Sequence, residues 1–480
     1  MTPHPILEAG ALELARLIRQ GEVGAVEVFE AFCARVDALN PQLNAIIRFD
    51  PDVGRAQAHD AERRLRAGDA APLLGVPFTV KDNLWVEGQI VSQGSRRFEQ
   101  FRAPQDACAV AQLRAVGGVF LGITNCSEFA CKGLTTNKSF GVTRNPWNLD
   151  CTPGGSSGGA ASAVAAGLAP IALCTDGGGS TRRPASHTGV VGMKPTAGLV
   201  PHPIGFVEPV FGNSVVGQMA RRVADVVALL DVIALPSLAD PQGLPQPLWS
   251  RIEADPQRLP RTTRIAYSPR FGLDVPVDAD VAASVDSAAE RLARDGYRIE
   301  HADPVWPAGP GEAALMPLQL AGLAALYGDA LRRGEWDADP DIAAQIEAGL
   351  RLSGADVANA LFARDVLYKT LHHFFTQHDL LLTPTTPCTA WSWSLSGPRE
   401  IAGHAVGPRG HAVFTPIINH CFLPACSVPC GLDHQGLPIG LQVIGPRFAD
   451  ARLLALAGRI EQQCPLDFSR PVSPPRAPTV

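Results

Sequence analysis

The sequence predicts an α/β protein, in which a sheet of buried strands is covered by helices. Short apolar, β-branched runs alternate along the chain with longer stretches whose apolar residues recur at helical spacing. Polar residues follow directly where several of these runs end, and α/β enzymes carry their functional groups at that edge of the sheet. Together these observations predict a doubly wound α/β core.

The individual elements follow from periodicity and from glycine and proline punctuation. The predicted helices cover 7–67 with a break at Asn40-Pro41, then 106–116, 159–167, 220–230, 281–295, 356–377 and 451–463. The predicted strands cover 73–80, 119–122, 171–175, 190–195, 380–382, 426–431 and 437–444. Residues 391–413 are predicted to be a loop, and the Pro-rich chain after Pro465 is predicted to be irregular.

The length of 480 residues is compatible with one large domain, because α/β enzymes of this size can form a single unit. Within it we expect five regions with different roles. These are an N-terminal helical segment (1–68), a catalytic core (69–232), a variable helical region that covers the substrate (233–378), a C-terminal part of the core (379–465) and an irregular tail (466–480).

Composition excludes several classes of partner. The chain is 46% hydrophobic and 18% charged with a formal charge of −6, which gives no electrostatic case for nucleic acid or an anionic membrane. No signal peptide and no membrane-spanning apolar run is expected. The 11 cysteines form no framework; Cys426 and Cys430 come closest to a pair, and no second pair or histidine cluster completes a zinc site. We therefore expect reduced thiols in a cytoplasmic protein without a zinc site.

Two glycine-flanked serines, Ser156 and Ser180, lie 24 residues apart. Ser156 matches the Gly-x-Ser-x-Gly nucleophile elbow, but an elbow needs a strand before the serine, and Pro153 precedes these glycines. Ser180 follows a predicted strand and three successive glycines, whose N–H groups can converge on one point as an oxyanion hole requires. The alternative for this second segment is an ordinary Gly-rich turn.

Lys81 is a candidate general base. It is one of only five lysines among 41 basic residues, and it lies at the end of a predicted buried strand, where burial can remove its proton. The alternative is a lysine that pairs with Asp82 or reaches solvent. A Ser-x-x-Lys arrangement is absent. A Ser-His-Asp triad stays open, although no spacing singles out His187, the histidine nearest in sequence to Ser180.

Three segments together resemble the signature blocks of the amidase signature family. They are Gly75-Val-Pro-Phe-Thr-Val-Lys81, Gly154-Gly-Ser-Ser-Gly-Gly159 and Thr175-Asp-Gly-Gly-Gly-Ser-Thr-Arg182. The resemblance spans roughly residues 10–230 and 378–462. It implies a single large, mixed and twisted β-sheet with helices on both faces. It also implies a cofactor-free amidohydrolase for linear amides, with aryl amides, carbamates and esters as further candidate substrates.

The resemblance assigns roles to the residues singled out above. Ser180 matches the nucleophile, Ser156 the bridging serine after a cis peptide bond, and Lys81 the general base. The oxyanion hole is expected from the backbone N–H groups of Gly177, Gly178, Gly179 and Ser180. Asp176 and Arg182 are expected to hold the glycine loop as a buried pair.

Departures from the family pattern concern the substrate rather than the chemistry. They are Gly177, Arg183, His187 and Gln218, where Arg183 replaces an apolar residue or glutamine. The pocket walls are expected from 131–137, from 206–211, and from Tyr327, Trp391 and Trp393. We expect a small-molecule amide as substrate and consider a homodimer. Rival functions are a glutaminase component of a tRNA-dependent amidotransferase, which needs partner chains, and a non-catalytic binding component, against which the intact triad argues.

Overall fold

The computed structural model describes residues 5–244, 249–307 and 312–471. Within them, an eleven-stranded sheet is the centre of the fold, and two small hairpins, β4–β5 and β12–β13, lie outside it. The strands are β1 (Ile46–Arg48), β2 (Pro77–Lys81), β3 (Val119–Thr124), β4 (Thr136–Asn137), β5 (Gly141–Val142), β6 (Ile171–Asp176), β7 (Val191–Lys194), β8 (Val215–Ala220), β9 (Arg264–Tyr267), β10 (Arg298–His301), β11 (Leu380–Pro384), β12 (Glu400–Ile401), β13 (His404–Ala405), β14 (Ala425–Leu432) and β15 (Pro438–Ile444).

Helices connect these strands and pack on the sheet. They are α1 (Pro5–Glu8), α2 (Ala11–Gln20), α3 (Ala25–Leu43), α4 (Pro51–Arg66), α5 (Cys108–Ala115), α6 (Gly158–Ala165), α7 (Arg182–Thr188), α8 (Val223–Ile233), α9 (Ala279–Arg294), α10 (Glu312–Arg332), α11 (Pro340–Gly349), α12 (Gly354–Gln377), α13 (Pro416–His420) and α14 (Asp450–Gln463). The 466–480 tail lies outside the described residues from 472 onward.

The sheet is mixed, with the order β1-β3-β2-β6-β8-β7-β14-β15-β11-β9-β10. Strand β2 pairs in parallel with β3 and β6. From β6 the neighbours β8, β7, β14, β15 and β11 follow in antiparallel pairs, and the parallel arrangement returns between β11, β9 and β10. This confirms the large mixed sheet and corrects the doubly wound prediction. Only antiparallel neighbours can be joined by a tight turn, as β14 and β15 are, and the buried apolar runs do not encode strand direction.

The predicted break at Pro41 is wrong, because α3 continues through it to Leu43. The buried face of the helix, with Val36, Leu39 and Leu43, extends past the proline, so packing outweighs the lost backbone hydrogen bond. Asn44 ends the helix in the left-handed conformation (φ 50°) and donates its N–H to Asn40 O at 2.7 Å. Strand β1 follows within a region predicted to be helical.

Two further strands, β9 and β10, lie in the 233–378 region that the sequence predicted to be helical. Both join the main sheet at its far edge. Strand β10 has only four residues, three of them exposed and charged or polar, so it lacks the apolar alternation that marks a strand. Strand β8 directly precedes α8, and its last residue, Ala220, was predicted to belong to that helix. The loop predicted for 391–413 contains the hairpin β12–β13.

Among the described residues, one helical stretch, Ala313–Arg332 in α10, is long and apolar enough to cross a membrane by length and composition alone. No such run was expected from the sequence. The helix packs against α11 and α12. The core helix of a soluble protein passes the same test, so the stretch is weak evidence for a membrane span.

Candidate active site

The candidate site lies where two adjacent parallel strands, β2 and β6, end. Their register pairs Val80 with Leu173, so both strands deliver their carboxyl ends to one edge of the sheet. Lys81 is the last residue of β2, and Asp176 is the last residue of β6. The glycine loop and Ser180 follow β6 directly, in the position where α/β folds bind ligands.

Lys81 lies fully buried between two hydroxyl groups. Its Nζ donates to Ser156 Oγ at 2.8 Å and to Thr175 Oγ1 at 2.9 Å. Asn83 Nδ2 donates to the same Thr175 Oγ1 at 2.9 Å, so this hydroxyl orients two donors. Burial lowers the pKa of Lys81 and outweighs the opposing influence of Asp176, which favours the charged amine.

The two serines are brought together by their backbones. The Gly155–Ser156 peptide bond is cis, as the resemblance implied, and Ser156 is fully buried just before α6. No strand of the described residues precedes Ser156 directly, so the strand–turn–helix context of a nucleophile elbow is absent. Ser157 N–H donates to Ser180 O at 3.3 Å, and Ser180 is 6% exposed. The turn of Ser156 therefore lies directly against the loop of Ser180.

A buried ion pair, Asp176–Arg182, supports the glycine loop, as the sequence predicted. Arg182 Nε donates to Asp176 Oδ2 and its Nη2 donates to Oδ1, both at 3.0 Å, and neither side chain is exposed. Asn419 Nδ2 adds a bond to Oδ1 at 2.8 Å. Burial raises the pKa of Asp176, but the charge of Arg182 and the hydrogen bonds more than offset it, so the pKa lies below its usual range.

One of the amides expected in the oxyanion hole is already engaged. Gly179 N–H donates to Asp176 Oδ1 at 2.7 Å, so this amide has a protein acceptor and its part in an oxyanion hole stays a prediction. The N–H groups of Gly177, Gly178 and Ser180 donate to no protein acceptor within the described residues. These three residues line the cavity at Ser180, and sequence alone could not separate their amides from that of Gly179.

A cavity of about 60 Å³ opens on Ser180. Its other lining residues are Asn83, Gln93, Phe129, Ala130, Cys131, Lys132, Thr175, Gly177, Gly178, Arg183, His202, Phe206, Glu208, Pro209, Val210, Ser214, Gln319 and Arg409. The expected walls from 131–137 and 206–211 are thus present in part. Arg409 and Glu208 were not singled out from the sequence, where no motif marks them.

The three aromatic residues expected on the pocket wall do not line this cavity. Tyr327 stacks on Phe129 with ring centroids 4.0 Å apart, and Trp393 lies under the Arg144 guanidinium. Trp391 packs against His411 and His187. All three therefore pack against other side chains of the protein and do not form the cavity wall.

His187 does not act as a partner of either serine. It is fully buried, and among the described residues its ring nitrogens have no hydrogen-bond partner. Burial, followed by the charge of Arg183, lowers the pKa of His187 to about 3, so the ring is neutral. In the described part of the chain no histidine hydrogen-bonds Ser156 or Ser180, which argues against a Ser-His-Asp triad.

Comparison with known proteins agrees with this geometry. The Amidase family model matches residues 27–327 and 331–454. An acylamidase of Rhodococcus erythropolis is 35% identical over 477 residues, covering 98% of each chain. A glutamyl-tRNA(Gln) amidotransferase chain of Roseiflexus castenholzii is 36% identical over 480 residues, covering 94% of each.

Solved structures give the same result. A bacterial aryl acylamidase of the amidase signature enzymes superimposes with a TM-score of 0.90 at 28% identity, covering 98% of this chain and 100% of the other. A 6-aminohexanoate cyclic dimer hydrolase gives 0.85 at 29% identity, covering 98% and 99%. The chain therefore belongs to the amidase family, the amidase signature enzymes, and is a hydrolase of carbon–nitrogen amide bonds.

Proposed function

We propose that Ser180 is the nucleophile of an acyl-enzyme mechanism in which Ser156 and Lys81 relay its proton. The observation that carries this proposal is the 2.8 Å contact between Lys81 Nζ and Ser156 Oγ, two fully buried groups beside the Ser180 loop. Burial favours the neutral amine, and a neutral amine can accept the Ser156 proton. Ser156 Oγ then accepts the proton of Ser180 Oγ as this oxygen attacks the amide carbon.

The second half of the reaction returns the proton. Ser156 donates a proton to the departing nitrogen, the carbon–nitrogen bond breaks, and an ester to Ser180 Oγ remains. Water then attacks this ester, and Ser180 Oγ leaves with a proton as the acid is released. The negative oxygen of each tetrahedral intermediate would be stabilised by the amides of Gly177, Gly178 and Ser180, which have no other acceptor within the described residues.

The proposed substrates are small linear carboxylic amides, with aryl amides, carbamates and esters as candidates. The names of the acylamidase and aryl acylamidase relatives support this class. Phe129 and Phe206 line the cavity and offer apolar surface to a leaving group.

The eleven cysteines are free thiols, ten of them buried, which supports a reducing, cytoplasmic compartment. The proposed homodimer can be tested by sedimentation equilibrium.

The test is covalent labelling combined with turnover. A fluorophosphonate should modify the wild-type protein at Ser180, located by peptide mass spectrometry, and should not modify Ser180→Ala. Hydrolysis of a nitroanilide should fall in Ser180→Ala by about 10³-fold or more, the scale for loss of a catalytic nucleophile. Modification at Ser156 instead, or undiminished hydrolysis by Ser180→Ala, would falsify the assignment.

A second candidate function is that of the glutamine-hydrolysing chain of an amidotransferase. The 36% identity to the glutamyl-tRNA(Gln) amidotransferase chain, no lower than that to the acylamidase, favours keeping it. Such a chain should release ammonia from glutamine only with its partner chains, whereas the proposed amidase hydrolyses amides alone. Ammonia release by the isolated protein from glutamine and from a simple amide distinguishes the two.

A further inference from the structure

Arg183 is a buried cation on the wall of the cavity that contains Ser180. It is 5% exposed and lines that cavity. Its Nε has no hydrogen-bond partner within the described residues, and the contact of its Nη1 with His411 Nε2 is long, at 3.5 Å. Burial lowers the pKa of Arg183 only to about 10, so the guanidinium stays charged at neutral pH.

No carboxylate of the described chain pairs with this guanidinium. Asp176, the acidic group that acts on it electrostatically, is already bonded by Arg182. Its ring neighbour His411 is neutral, since burial and then the charge of Arg183 keep the His411 pKa well below its usual range. A buried cation without a counter-charge is costly to a fold, and a ligand anion relieves that cost.

The other charged side chains that line the cavity do not neutralise the positive charge of Arg183. Lys132 is paired with Asp339 at 2.7 Å. Glu208, the one acidic side chain lining the cavity among the described residues, accepts from Ser214 N–H at 3.2 Å. Burial raises the pKa of Glu208 to about 8, so it carries little charge at neutral pH. A second guanidinium, that of Arg409, lines the same cavity, and burial lowers its pKa only to about 10, with a further contribution from the charge of Arg183.

The guanidinium also lies close to the reacting serine in space. The backbone N–H of Arg183 donates to Gly179 O at 2.8 Å. The guanidinium lies beside the same residue, because a Cβ on Gly179 would lie 3.0 Å from Arg183 Nε. Gly179 directly precedes Ser180, and both Ser180 and Arg183 line the cavity. This shared cavity is small, about 60 Å³, so only a short acyl chain fits between the two groups.

We propose that Arg183 binds a carboxylate of the substrate, so that this amidase prefers amides of short acyl chains ending in a carboxylate. The inference rests on the proposed reaction at Ser180 and deepens it by naming the substrate class. The carboxylate is unchanged by the reaction: it makes charge-assisted hydrogen bonds to the guanidinium and orients the amide toward Ser180. The bond that breaks is still the carbon–nitrogen bond at the other end of the acyl chain.

The test compares matched pairs of amides that differ only in this charge. Succinamate and glutaramate carry a carboxylate where butanediamide and pentanediamide carry a neutral carboxamide of the same shape. Ammonia release should give the wild-type protein a kcat/KM at least tenfold higher for the anionic member of one pair. In Arg183→Gln the anionic-to-neutral ratio should fall at least about tenfold, to a value near one, because the variant has lost the charged partner of the carboxylate. Arg183→Lys should give an intermediate ratio.

Using a ratio separates recognition from general damage to the loop, since damage lowers both activities together. Lys138→Gln is the control, because Lys138 is an exposed cation paired with Asp337 outside the cavity, and it should leave the ratio unchanged. A wild-type ratio near one, or a ratio that Arg183→Gln does not lower, overturns the inference. Fluorophosphonate labelling of Ser180 in those same proteins would then show that the proposed reaction still stands.

A binding measurement tests the inference even where no hydrolysis is detected. Isothermal titration calorimetry of Ser180→Ala with succinamate and with butanediamide measures the two affinities without turnover. Tighter binding of succinamate that is lost in Ser180→Ala/Arg183→Gln supports the inference even if the wild-type protein hydrolyses neither amide. Equal binding of the two ligands overturns it. If Ser180→Ala hydrolyses both amides at the wild-type rate, the reaction assignment fails, whereas the ratio in Arg183→Gln still decides the role of Arg183.

Discussion

The backbone N–H of Gly179 donates to Asp176 Oδ1 at 2.7 Å, within the loop that leads to Ser180. The same carboxylate accepts two bonds from the Arg182 side chain and one from Asn419 Nδ2. A buried ion pair thus holds one amide of the glycine loop on the protein side and leaves its neighbours available to a ligand. The support of the loop and its proposed chemistry therefore use different N–H groups.

Asp176→Ala should destabilise the protein, because it leaves the Arg182 guanidinium buried without its counter-charge. We expect a loss of about 3–5 kcal/mol in the free energy of unfolding, measured by urea denaturation. Asp329→Ala is the control: it removes an exposed partner of Arg332 and should change stability by less than about 1 kcal/mol. Equal effects of the two substitutions would contradict the supporting role of Asp176.

Gly179→Ala and Gly178→Ala should differ in their effects on stability. Gly179 has φ +108°, and a Cβ there would lie 2.1 Å from Thr415 Oγ1, whereas a Cβ on Gly178 meets no atom within 4 Å. Backbone strain and overpacking together predict a loss of about 2–4 kcal/mol for Gly179→Ala. Gly178→Ala should melt near the wild-type temperature. A melting temperature of Gly179→Ala indistinguishable from that of the wild-type protein would refute this account of the loop.

Thr175→Val should slow turnover by loosening the position of Lys81. The Thr175 hydroxyl accepts from both Lys81 Nζ and Asn83 Nδ2, and valine has the same shape without the acceptor. We expect kcat to fall by about 10- to 100-fold, the scale for a misplaced acid–base group. The charged form of Lys81 loses an acceptor, so its pKa should fall further, and the rising limb of kcat/KM should move to lower pH.

Thr79→Val is the matched control for that substitution. Thr79 lies on the same strand as Lys81 and is fully buried, but its Oγ1 has no hydrogen-bond partner among the described residues. Removing this hydroxyl should leave kcat and its pH profile unchanged. If both variants lose activity equally, the effect comes from packing of the β2–β6 region rather than from the Lys81 contact.

Local pattern was enough to find the centre of the site. Lys81 and Ser180 both follow short apolar strands, and the glycine-rich signature blocks define the turn of Ser156. The outer wall could not be predicted in the same way. Arg409 lies 226 residues beyond Arg183 in the chain, in a loop without a motif, and only the folding of that loop brings it to the cavity. Trp391 and Trp393 illustrate the converse, because aromatic residues in a loop suggested a pocket wall and instead pack against other side chains.

In the fold, too, local sequence pattern predicted some elements and missed those that depend on distant partners. Seven strands, β2, β3, β6, β7, β11, β14 and β15, were predicted, and most of their bounds lie within two residues of those observed. The buried strands β8 and β9 were missed, and the mixed sheet followed from the resemblance. Strand direction, the short edge strands β1 and β10, and the continuation of α3 through Pro41 depend on partners that are distant in sequence. Packing against those partners overrides local preference at each of these places.

The pH dependence of kcat/KM should report the ionisation of Lys81. Only the neutral amine can accept the Ser156 proton, so activity should rise with pH through the Lys81 pKa and fall about tenfold per pH unit below it. Burial lowers this pKa, and the midpoint should therefore lie below about 10.4, the value of an exposed lysine. A kcat/KM profile that is flat from about pH 4 to 10 would rule out Lys81 as the base, because the pKa of a buried lysine falls to about 5–6 at the lowest. A poorer substrate should give the same flat profile, which excludes substrate binding as the rate-limiting step.

The variants Glu208→Gln and Lys81→Met identify the group whose ionisation causes the rise of kcat/KM with pH. Glu208, whose pKa is raised to about 8 by burial, lines the same cavity and could produce a limb of its own. A limb due to Lys81 persists in Glu208→Gln and disappears, with the activity, in Lys81→Met. The pH dependence of the free energy of unfolding is an independent test. A lysine whose pKa is lower in the folded than in the unfolded state takes up a proton on unfolding at any pH between the two pKa values. The stability contributed by this site therefore increases with pH across that window in the wild-type protein and not in Lys81→Met.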